Sequence, residues 1–292
     1  MYKLKITSKT KLYVLIGDPI EHSLSPVMQN AAFETMGVDA VYLALCVQRS
    51  TLFQVIDCLR ALNILGFNVT IPHKVSIIKY LDDMDEKVST IGAANTVVNR
   101  GGKLIGYNTD GTGALAALRD AGVDPSGKRV LLLGAGGAAR ALAFSFAEVA
   151  EKVTVLNRTA LKAESLAKDV RRVTGAEILY GELNSSTLEK EVPDSDLLVN
   201  ATSVGMNPIQ DKTPVDAKLL GPNLVVFDIV YSPHETRLLK DARAAGAKRV
   251  NGLGMLAHQG AQAFEIWTGI EAPVTTMTGA LKKALGVDLD EN

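Results

Sequence analysis

Residues 130–140 join an apolar run to a glycine turn and an alanine-rich segment, an order that can build a phosphate-binding site. Gly134 permits the tight bend and Gly136 lets the backbone approach a pyrophosphate, while Ala139 takes the place of a third glycine in packing a helix on a strand. Free backbone N–H groups and the helix dipole at such a helix N-terminus both favour an anion. Because a strand precedes the glycines and a helical pattern follows them, the segment predicts a dinucleotide-binding site.

A second strand pattern, residues 152–159, indicates which dinucleotide would bind. The residue that holds the adenosine ribose lies roughly 20 positions past the glycines and is usually acidic in NAD-selective sites. Here that region holds Asn157, Arg158 and Thr159, with Lys162 one helical turn further. Cations and a hydroxyl would bind a 2′-phosphate that a carboxylate would repel, so NADP is the predicted cofactor. The alternative is that Arg158 and Lys162 are only solvated charges at a helix start.

Four other segments place polar side chains where predicted strands end or predicted helices begin: residues 22–26, 68–74, 92–96 and 108–111. In open α/β sheets, ligand-binding groups collect at the carboxyl ends of the strands. Ser25 is the expected N-cap of a helix with Pro26 at its first position. Lys74 is expected at the start of a helix over 72–81, and Asp110 at a junction between domains. These segments predict the substrate half of the site.

Strand-like and helix-like patterns alternate along the chain, which favours parallel sheets built from βαβ units. Predicted strands cover residues 12–16, 41–47, 66–71, 196–200 and 224–229, predicted helices cover 25–36, 51–62 and 255–267, and a hairpin covers 96–107. We therefore expect an α/β fold with two domains. A substrate domain with a mainly parallel sheet would comprise residues 1–110, and a Rossmann-type domain would comprise 111–253. The closing helices, within 254–292, would pack back on the first domain.

Composition narrows the class of function. The 292 residues are 47% hydrophobic and 22% charged, with a formal net charge of −1. These values are typical of an ordinary globular protein and give no basic surface for nucleic acid and no membrane anchor, so a cytoplasmic protein is expected. Cys46 and Cys58 lie in apolar segments and are expected to be buried thiols. The cysteines and the four histidines lack metal-ligand spacing, so no metal site is predicted.

Together with residues 252–256, these segments resemble the shikimate dehydrogenase family over roughly residues 14–267, in unchanged order. Members of that family reduce 3-dehydroshikimate to shikimate with NADPH in aromatic amino-acid biosynthesis. The resemblance implies that Lys74 carries the catalytic proton. We hypothesise that Asp110 chiefly positions the ammonium and a substrate hydroxyl. The chemistry is consistent with this, because charge grows on the oxygen of a ketone as it is reduced and a proton donor must lie within reach.

The resemblance also implies two sets of binding residues. The substrate would be held by Ser23, Ser25, Thr70, Asn95, Asp110, Tyr231 and Gln259. The cofactor would be held by Gly134, Ala135, Gly136, Gly137, Ala138, Asn157, Arg158, Thr159, Lys162, Ile229, Gly252 and Glu86. Ile229 departs from the family pattern, in which many members have methionine, and this difference is expected to affect only packing on the nicotinamide.

Three other functions are compatible with parts of the pattern. A quinate/shikimate dehydrogenase that uses NAD or both cofactors would share the whole architecture, and a homodimer is possible in either case. A non-catalytic NADP-binding regulator would be expected to lack Lys74 or Asp110, and both are present. A glutamyl-tRNA reductase-like protein would need an exposed nucleophilic cysteine and an RNA-binding surface, and the sequence predicts neither.

Overall fold

The computed structural model describes residues 6–287, which divide into two compact units. Unit 1 comprises residues 6–110 and 257–287, and unit 2 comprises residues 111–256. The chain therefore leaves unit 1 once and returns to it, so that unit 2 is an insertion.

Unit 1 is built on a six-stranded mixed sheet. Its strands are β1 (Lys11–Gly17), β2 (Ala40–Cys46), β3 (Gly66–Val69), β4 (Asp83–Met84), β5 (Thr96–Arg100) and β6 (Lys103–Tyr107), in the order β2-β1-β3-β5-β6-β4. β1 pairs in parallel with β2 and β3, as does β4 with β6, whereas β5 is antiparallel to β3 and β6. The helices in this part of the chain are α1 (Ser25–Thr35), α2 (Leu52–Ala61) and α3 (Glu86–Ile91), with 3₁₀ turns at Arg49–Thr51 and Ser76–Tyr80.

The centre of this sheet is covered on both faces, which explains its apolar sequence. Consecutive residues 13–16 of β1 are all buried, as expected for a parallel strand with helices on either side. Ile16, Phe67, Ile77 and Leu104 belong to one core cluster and are fully enclosed. The parallel half of the sheet is thus a rigid support for the residues that follow its strands.

Two local predictions in unit 1 are wrong. Residues 72–81 form only the 3₁₀ turn Ser76–Tyr80, and Lys74 lies in the loop before it rather than at a helix start. The buried ring of His73 lies 2.6 Å from the carbonyl oxygen of Val47 through Nε2, which holds this loop away from a helical path. The N-cap of α1 is Leu24 and not Ser25, with no side-chain cap; Ser23 Oγ instead accepts a hydrogen bond from Ser25 N at 3.3 Å.

Unit 2 contains a six-stranded sheet whose strands are all parallel. The elements in chain order are α4 (Asp110–Asp120), β7 (Arg129–Leu133), α5 (Gly137–Ala147), β8 (Lys152–Asn157), α6 (Ala160–Thr174), β9 (Ile178–Glu182), α7 (Ser185–Glu191), β10 (Leu197–Asn200), β11 (Val225–Asp228), α8 (Arg237–Ala244) and β12 (Lys248–Asn251). The strand order β12-β11-β10-β7-β8-β9 reverses direction between β7 and β10. This is the doubly wound order of dinucleotide-binding domains, and it confirms the predicted α/β class.

The chain then forms α9 (Gly252–Thr268) and α10 (Val274–Leu285). α10 packs against α1. The Phe33 and Phe264 rings lie 5.4 Å apart, and Trp267 Nε1 donates to the carbonyl of Val97 at 3.0 Å. Gly66 is required beside this indole because a Cβ there would overlap it. The closing helices therefore complete the core of unit 1.

Both cysteines differ from expectation. Cys46 and Cys58 are exposed free thiols, because β2 is an edge strand and Cys58 lies on the outer face of α2. Within residues 6–287, no cluster of acidic, histidine or cysteine side chains is arranged to hold a metal ion. In the same range, no helix combines the length and the apolar character needed to cross a membrane.

Candidate functional site

One edge of the unit 1 sheet collects the polar residues that follow its strands. β1 and β3 run parallel and end at Gly17 and Val69, so the loops that follow them leave from the same edge. The first loop carries Ser23 and leads to Ser25 at the start of α1, and Thr70 follows β3 directly. Gly17 leaves the space that the Thr70 side chain needs. The predicted substrate residues of these two segments therefore belong to one edge.

An ion pair between Lys74 and Asp110 lies within unit 1. Lys74 Nζ is 2.5 Å from Asp110 Oδ2, and the side chains are only 13% and 3% exposed. Ala94 N donates to the carbonyl oxygen of Lys74 at 2.9 Å, which fixes the lysine backbone beside Asn95. Such a pair differs from a surface salt bridge because removing one partner leaves a charge with little water around it.

Asn95 connects this pair to the rest of the cluster. Its Nδ2 group lies 3.0 Å from Asp110 Oδ1, 2.9 Å from Thr109 Oγ1 and 3.2 Å from Gln259 Oε1. Its Oδ1 accepts from Thr109 N at 2.9 Å. Asp110 therefore has a partner on each carboxylate oxygen, one an ammonium and one an amide, and its orientation is fixed.

Thr109 is a member of this cluster that sequence reasoning missed. Its hydroxyl donates to the carbonyl oxygen of Gln259 at 3.0 Å, and its side chain is almost completely buried. It thereby holds α9, which carries Gln259, against the loop that carries Asp110. Its position between Asn108 and Asp110 in a predicted functional segment was the available signal.

The chemistry open to this cluster is proton transfer. The ammonium of Lys74 is held at one point by a fixed carboxylate and remains slightly exposed, so it can donate a proton to an oxygen of a bound molecule. The amides of Asn95 and Gln259 in this cluster, and the hydroxyls of Ser23, Ser25 and Thr70 at the same edge of the sheet, can bind carboxylate and hydroxyl groups.

In unit 2, the turn between β7 and α5 has the geometry predicted from its glycines. Gly134 has a φ of +113°, and a Cβ there would lie 2.8 Å from the carbonyl oxygen of Ala201. A Cβ on Gly136 would meet nothing within 4 Å, so this side of the turn is open. Gly136 is also the N-cap of α5 and supplies no side-chain cap, which leaves the first N–H groups of the helix for an anion.

The end of β8 provides cations near a second helix start. Asn157 ends the strand, and its Nδ2 donates to the carbonyl of Thr159 at 3.0 Å. Arg158 and Lys162 are exposed, and neither forms an ion pair within the described part of the chain. Thr159 is the N-cap of α6 and makes no side-chain cap. The arrangement offers two exposed cations, a hydroxyl and a helix N-terminus without a side-chain cap.

The remaining predicted cofactor residues fall in different places. Ile229 follows β11, and Gly252 opens α9 so close to Ile229 that a Cβ would overlap the isoleucine carbonyl. Tyr231, which was predicted to bind substrate, lies in the same loop after β11. Glu86 is the exposed first residue of α3 in unit 1, where a carboxylate is favoured by the helix dipole. That position explains Glu86 without a ligand.

Unit 2 contains a buried polar group of its own, which the sequence analysis did not predict. Asn200 ends β10, Asp228 ends β11 and Thr236 caps α8, and each is fully buried. The signal was the same one used in the first domain, a polar residue at the end of an apolar strand.

The sequence matches three domain families. Residues 15–97 match the shikimate dehydrogenase substrate binding domain, residues 116–235 match shikimate/quinate 5-dehydrogenase, and residues 252–282 match the shikimate 5′-dehydrogenase C-terminal domain.

The chain is also similar to curated proteins and solved structures over nearly its whole length. The NADP⁺ shikimate dehydrogenase of Methanocaldococcus jannaschii is 47% identical and aligns with 94% of this chain and 98% of its own. A crystal structure of a shikimate dehydrogenase in complex with NADP⁺ is 45% identical, with a TM-score of 0.89 over 96% of this chain and 98% of the other. The enzyme from Listeria monocytogenes in complex with shikimate and NAD is 42% identical, with a TM-score of 0.86 over 95% and 98%.

Proposed function

Since the chain belongs to the shikimate dehydrogenase family, we propose that it catalyses the reversible reduction of 3-dehydroshikimate to shikimate with NADPH. The observation that carries the proposal is the enclosed pair of Lys74 Nζ and Asp110 Oδ2 at the polar edge of unit 1. A regulator that had lost the chemistry would have no need to hold an ammonium in this way.

The residues of unit 2 fit the cofactor, whose reduced nicotinamide supplies the hydride when it is bound. The open side of Gly136 and the uncapped start of α5 suit the pyrophosphate, with Gly134, Ala135, Gly137 and Ala138 completing the turn. Arg158, Thr159 and Lys162 suit a 2′-phosphate, and Asn157 suits the ribose. Ile229 and Gly252 would bound the nicotinamide half, and Glu86 is the weakest member of the set.

Unit 1 would bind the substrate. Its cyclohexene acid carries a carboxylate and hydroxyl groups, which match the hydroxyl and amide side chains of Ser23, Ser25, Thr70, Asn95 and Gln259. Tyr231 lies in unit 2, in the loop after β11, and its assignment to the substrate rests on the family resemblance alone. The division of labour between a substrate-binding unit and an NADP-binding unit is part of the proposal.

Lys74 would give a proton to the ketone oxygen in reduction and take it back in oxidation. Asp110 would hold the ammonium at the reacting oxygen and accept a hydrogen bond from a neighbouring substrate hydroxyl. Asn95 Nδ2 donates to Asp110 Oδ1 and so keeps the carboxylate in place. The other carboxylate oxygen, Asp110 Oδ2, stays with Lys74. Because contacts within the protein fix these groups, little reorganisation is needed for proton transfer.

Steady-state kinetics test the function directly. Rates of NADPH or NADH formation are measured with shikimate and with quinate, each with NADP⁺ and NAD⁺. We expect the highest kcat/KM with shikimate and NADP⁺. Comparable values with quinate and NAD⁺ would favour the quinate/shikimate dehydrogenase, and tight NADP⁺ binding without turnover of either acid would favour the regulator.

The cofactor preference is expected to depend on the two exposed cations. Replacing Arg158 and Lys162 together with alanine should lower kcat/KM with NADP⁺ by at least about tenfold, because charge-assisted hydrogen bonds to the phosphate are lost. The value with NAD⁺ should not fall, because NAD⁺ has no 2′-phosphate. The measurement is kcat/KM for shikimate oxidation with each cofactor.

Lys168→Ala is the matched control, since Lys168 is an exposed lysine on the same helix that pairs with Glu164. The Lys168→Ala variant should leave kcat/KM unchanged with both NADP⁺ and NAD⁺. Equal losses with NADP⁺ and NAD⁺ in the double variant would contradict a 2′-phosphate site at these residues.

A homodimer and a cytoplasmic location complete the proposal. Leu43 and Leu45 are exposed on the edge strand β2, which supports pairing of this strand with a second copy of the chain. Sedimentation would check the dimer: the wild type should sediment as a dimer and a Leu43→Lys variant as a monomer. Two exposed free thiols support a reducing compartment.

A further inference from the structure

The ends of β10 and β11 carry a buried polar group in which both carboxylate oxygens of Asp228 and both side-chain polar atoms of Asn200 have hydrogen-bond partners. Asp228 Oδ1 accepts from Asn200 Nδ2 at 2.9 Å and from Val230 N at 3.1 Å, and Oδ2 accepts from Thr236 Oγ1 at 2.6 Å. Asn200 Oδ1 accepts from the backbone N and the hydroxyl of Thr202, and its Nδ2 also donates to Val204 O. A buried network with every partner satisfied holds one geometry.

This network fixes two loops at the carboxyl edge of the unit 2 sheet. Asn200 ties residues 201–204, and Asp228 ties residues 230 and 236. Ala201 abuts Gly134, and Ile229 abuts Gly252 so closely that neither glycine could carry a side chain without a shift. The two loop residues that touch these glycines therefore directly follow Asn200 and Asp228.

The topology indicates which half of a dinucleotide these loops would meet. In a doubly wound sheet, each set of three strands binds one mononucleotide. The glycine turn and Asn157 lie on β7 and β8, which assigns the adenosine half to β7–β9. β10–β12 are left for the nicotinamide half.

We propose that Asp228 is a positioning residue for the nicotinamide half of the cofactor, acting through residues 229–236. The proposal rests on the proposed function, since it requires NADP to be the ligand. The negative charge matters because a carboxylate accepts all three hydrogen bonds as charge-assisted bonds, while the Thr236 hydroxyl also accepts from Leu239 N as the cap of α8.

Keeping the buried Asp228 carboxylate charged lowers the free energy of unfolding. Burial raises the pKa of Asp228 to about 6, although hydrogen bonds from Thr236, Val230 and Asn200 oppose the rise, and no charged side chain contributes. The ionisable groups of the surrounding elements have partners of their own: His234 with Asn251, Glu235 with Arg243 and Arg249, and Arg237 with Asp241. Native protein thus binds the proton more tightly than unfolded protein, and the free energy of unfolding falls as pH rises from about 4 to about 6.

Protonation would change the network. A proton on Oδ2 makes that oxygen a donor to Thr236, whose hydroxyl hydrogen must then turn away from the carboxyl group. The bond is then kept with its direction reversed but without its charge, so we expect it to hold the loop after β11 less strongly as pH falls through about 6.

The test compares the affinities of two ligands in a binding experiment without turnover. NADP⁺ is compared with 2′-phosphoadenosine 5′-diphosphoribose, which has the same 2′-phosphate and pyrophosphate but no nicotinamide. At pH 8, Asp228→Asn should weaken NADP⁺ binding about tenfold, the loss expected for hydrogen bonds to a charged group. Binding of the fragment should be unchanged. Because the 2′-phosphate titrates in both ligands, the ratio of their affinities isolates the contribution of Asp228.

The pH profile adds a second readout. In the wild type, the affinity ratio should fall as pH drops through about 6, and in Asp228→Asn it should stay flat. Thermal unfolding at pH 8 should show that the variant remains folded, because the desolvation cost of the charge, which is removed, offsets the hydrogen bonds that are weakened.

Three further variants control the interpretation. Asp216→Asn removes an exposed helix-capping carboxylate elsewhere in unit 2 and should change neither affinity. Thr236→Ser keeps the hydroxyl and should retain NADP⁺ affinity, whereas Thr236→Val should lose it. An unchanged ratio in Asp228→Asn, or equal losses for both ligands, would overturn the inference alone. Failure of the wild type to bind NADP⁺ would overturn the proposed function as well.

Discussion

Lys74→Ala is expected to lower kcat for shikimate oxidation by about 10² to 10⁴, the range that a general acid–base contributes. The KM for shikimate should change much less, because the carboxylate and hydroxyl groups of the substrate are assigned to other side chains. Lys74→Arg should be similarly impaired, since a guanidinium keeps the charge but does not release its proton in this pH range. The measurement is kcat and KM with NADP⁺.

Lys79→Ala is the control for this variant, since Lys79 is exposed on the neighbouring 3₁₀ turn. Thermal unfolding must be measured alongside, because the variant leaves Asp110 without its ammonium in a site that is only 3% exposed. A folded Lys74→Ala protein with near-normal kcat would remove Lys74 from the proton-transfer step.

Asp110→Asn is expected to lower kcat by about 10², the penalty for a small displacement of a catalytic group. Asparagine keeps the shape and can still meet Asn95, but it no longer holds the Lys74 ammonium at 2.5 Å by charge. Unlike Lys74→Ala, this variant should also raise the KM for shikimate, because Asp110 is proposed to accept a hydrogen bond from a substrate hydroxyl.

Separate effects on kcat and on KM distinguish the two roles proposed for Asp110, which are to position Lys74 and to bind a substrate hydroxyl. Asp57→Asn, at an exposed position on α2, controls for the loss of a carboxylate from unit 1. If Asp110→Asn raised KM and left kcat intact, Asp110 would bind substrate without positioning the lysine.

The sequence predicted the geometry of the glycine turn well because the determinants of that geometry are local. Gly134 needs a positive φ and Gly136 an open side, and both requirements follow from a strand that turns directly into a helix. The polar residues of unit 1 could likewise be predicted, since the ends of parallel strands share an edge whatever the details of packing.

Local patterns failed where a distant contact decides the conformation. The apolar spacing of 72–81 predicts a helix, but buried His73 meets Val47 O and Lys74 O accepts from Ala94 N, so the segment forms a loop. The cysteines look buried in their apolar segments, and only the position of β2 at the sheet edge and the outward face of α2 show otherwise.

By itself, the sequence determined the α/β class, the glycine turn between a strand and a helix, and the residue types available for chemistry. Only the tertiary structure decided that Lys74 meets Asp110 across 36 positions of sequence, that Asn95 holds that carboxylate in place, and that Asp228 is enclosed with Asn200 and Thr236. The reason is physical. Glycine turns and strand ends depend on backbone preferences over a few residues, whereas a fixed charge pair depends on burial and on partners that packing brings from distant segments.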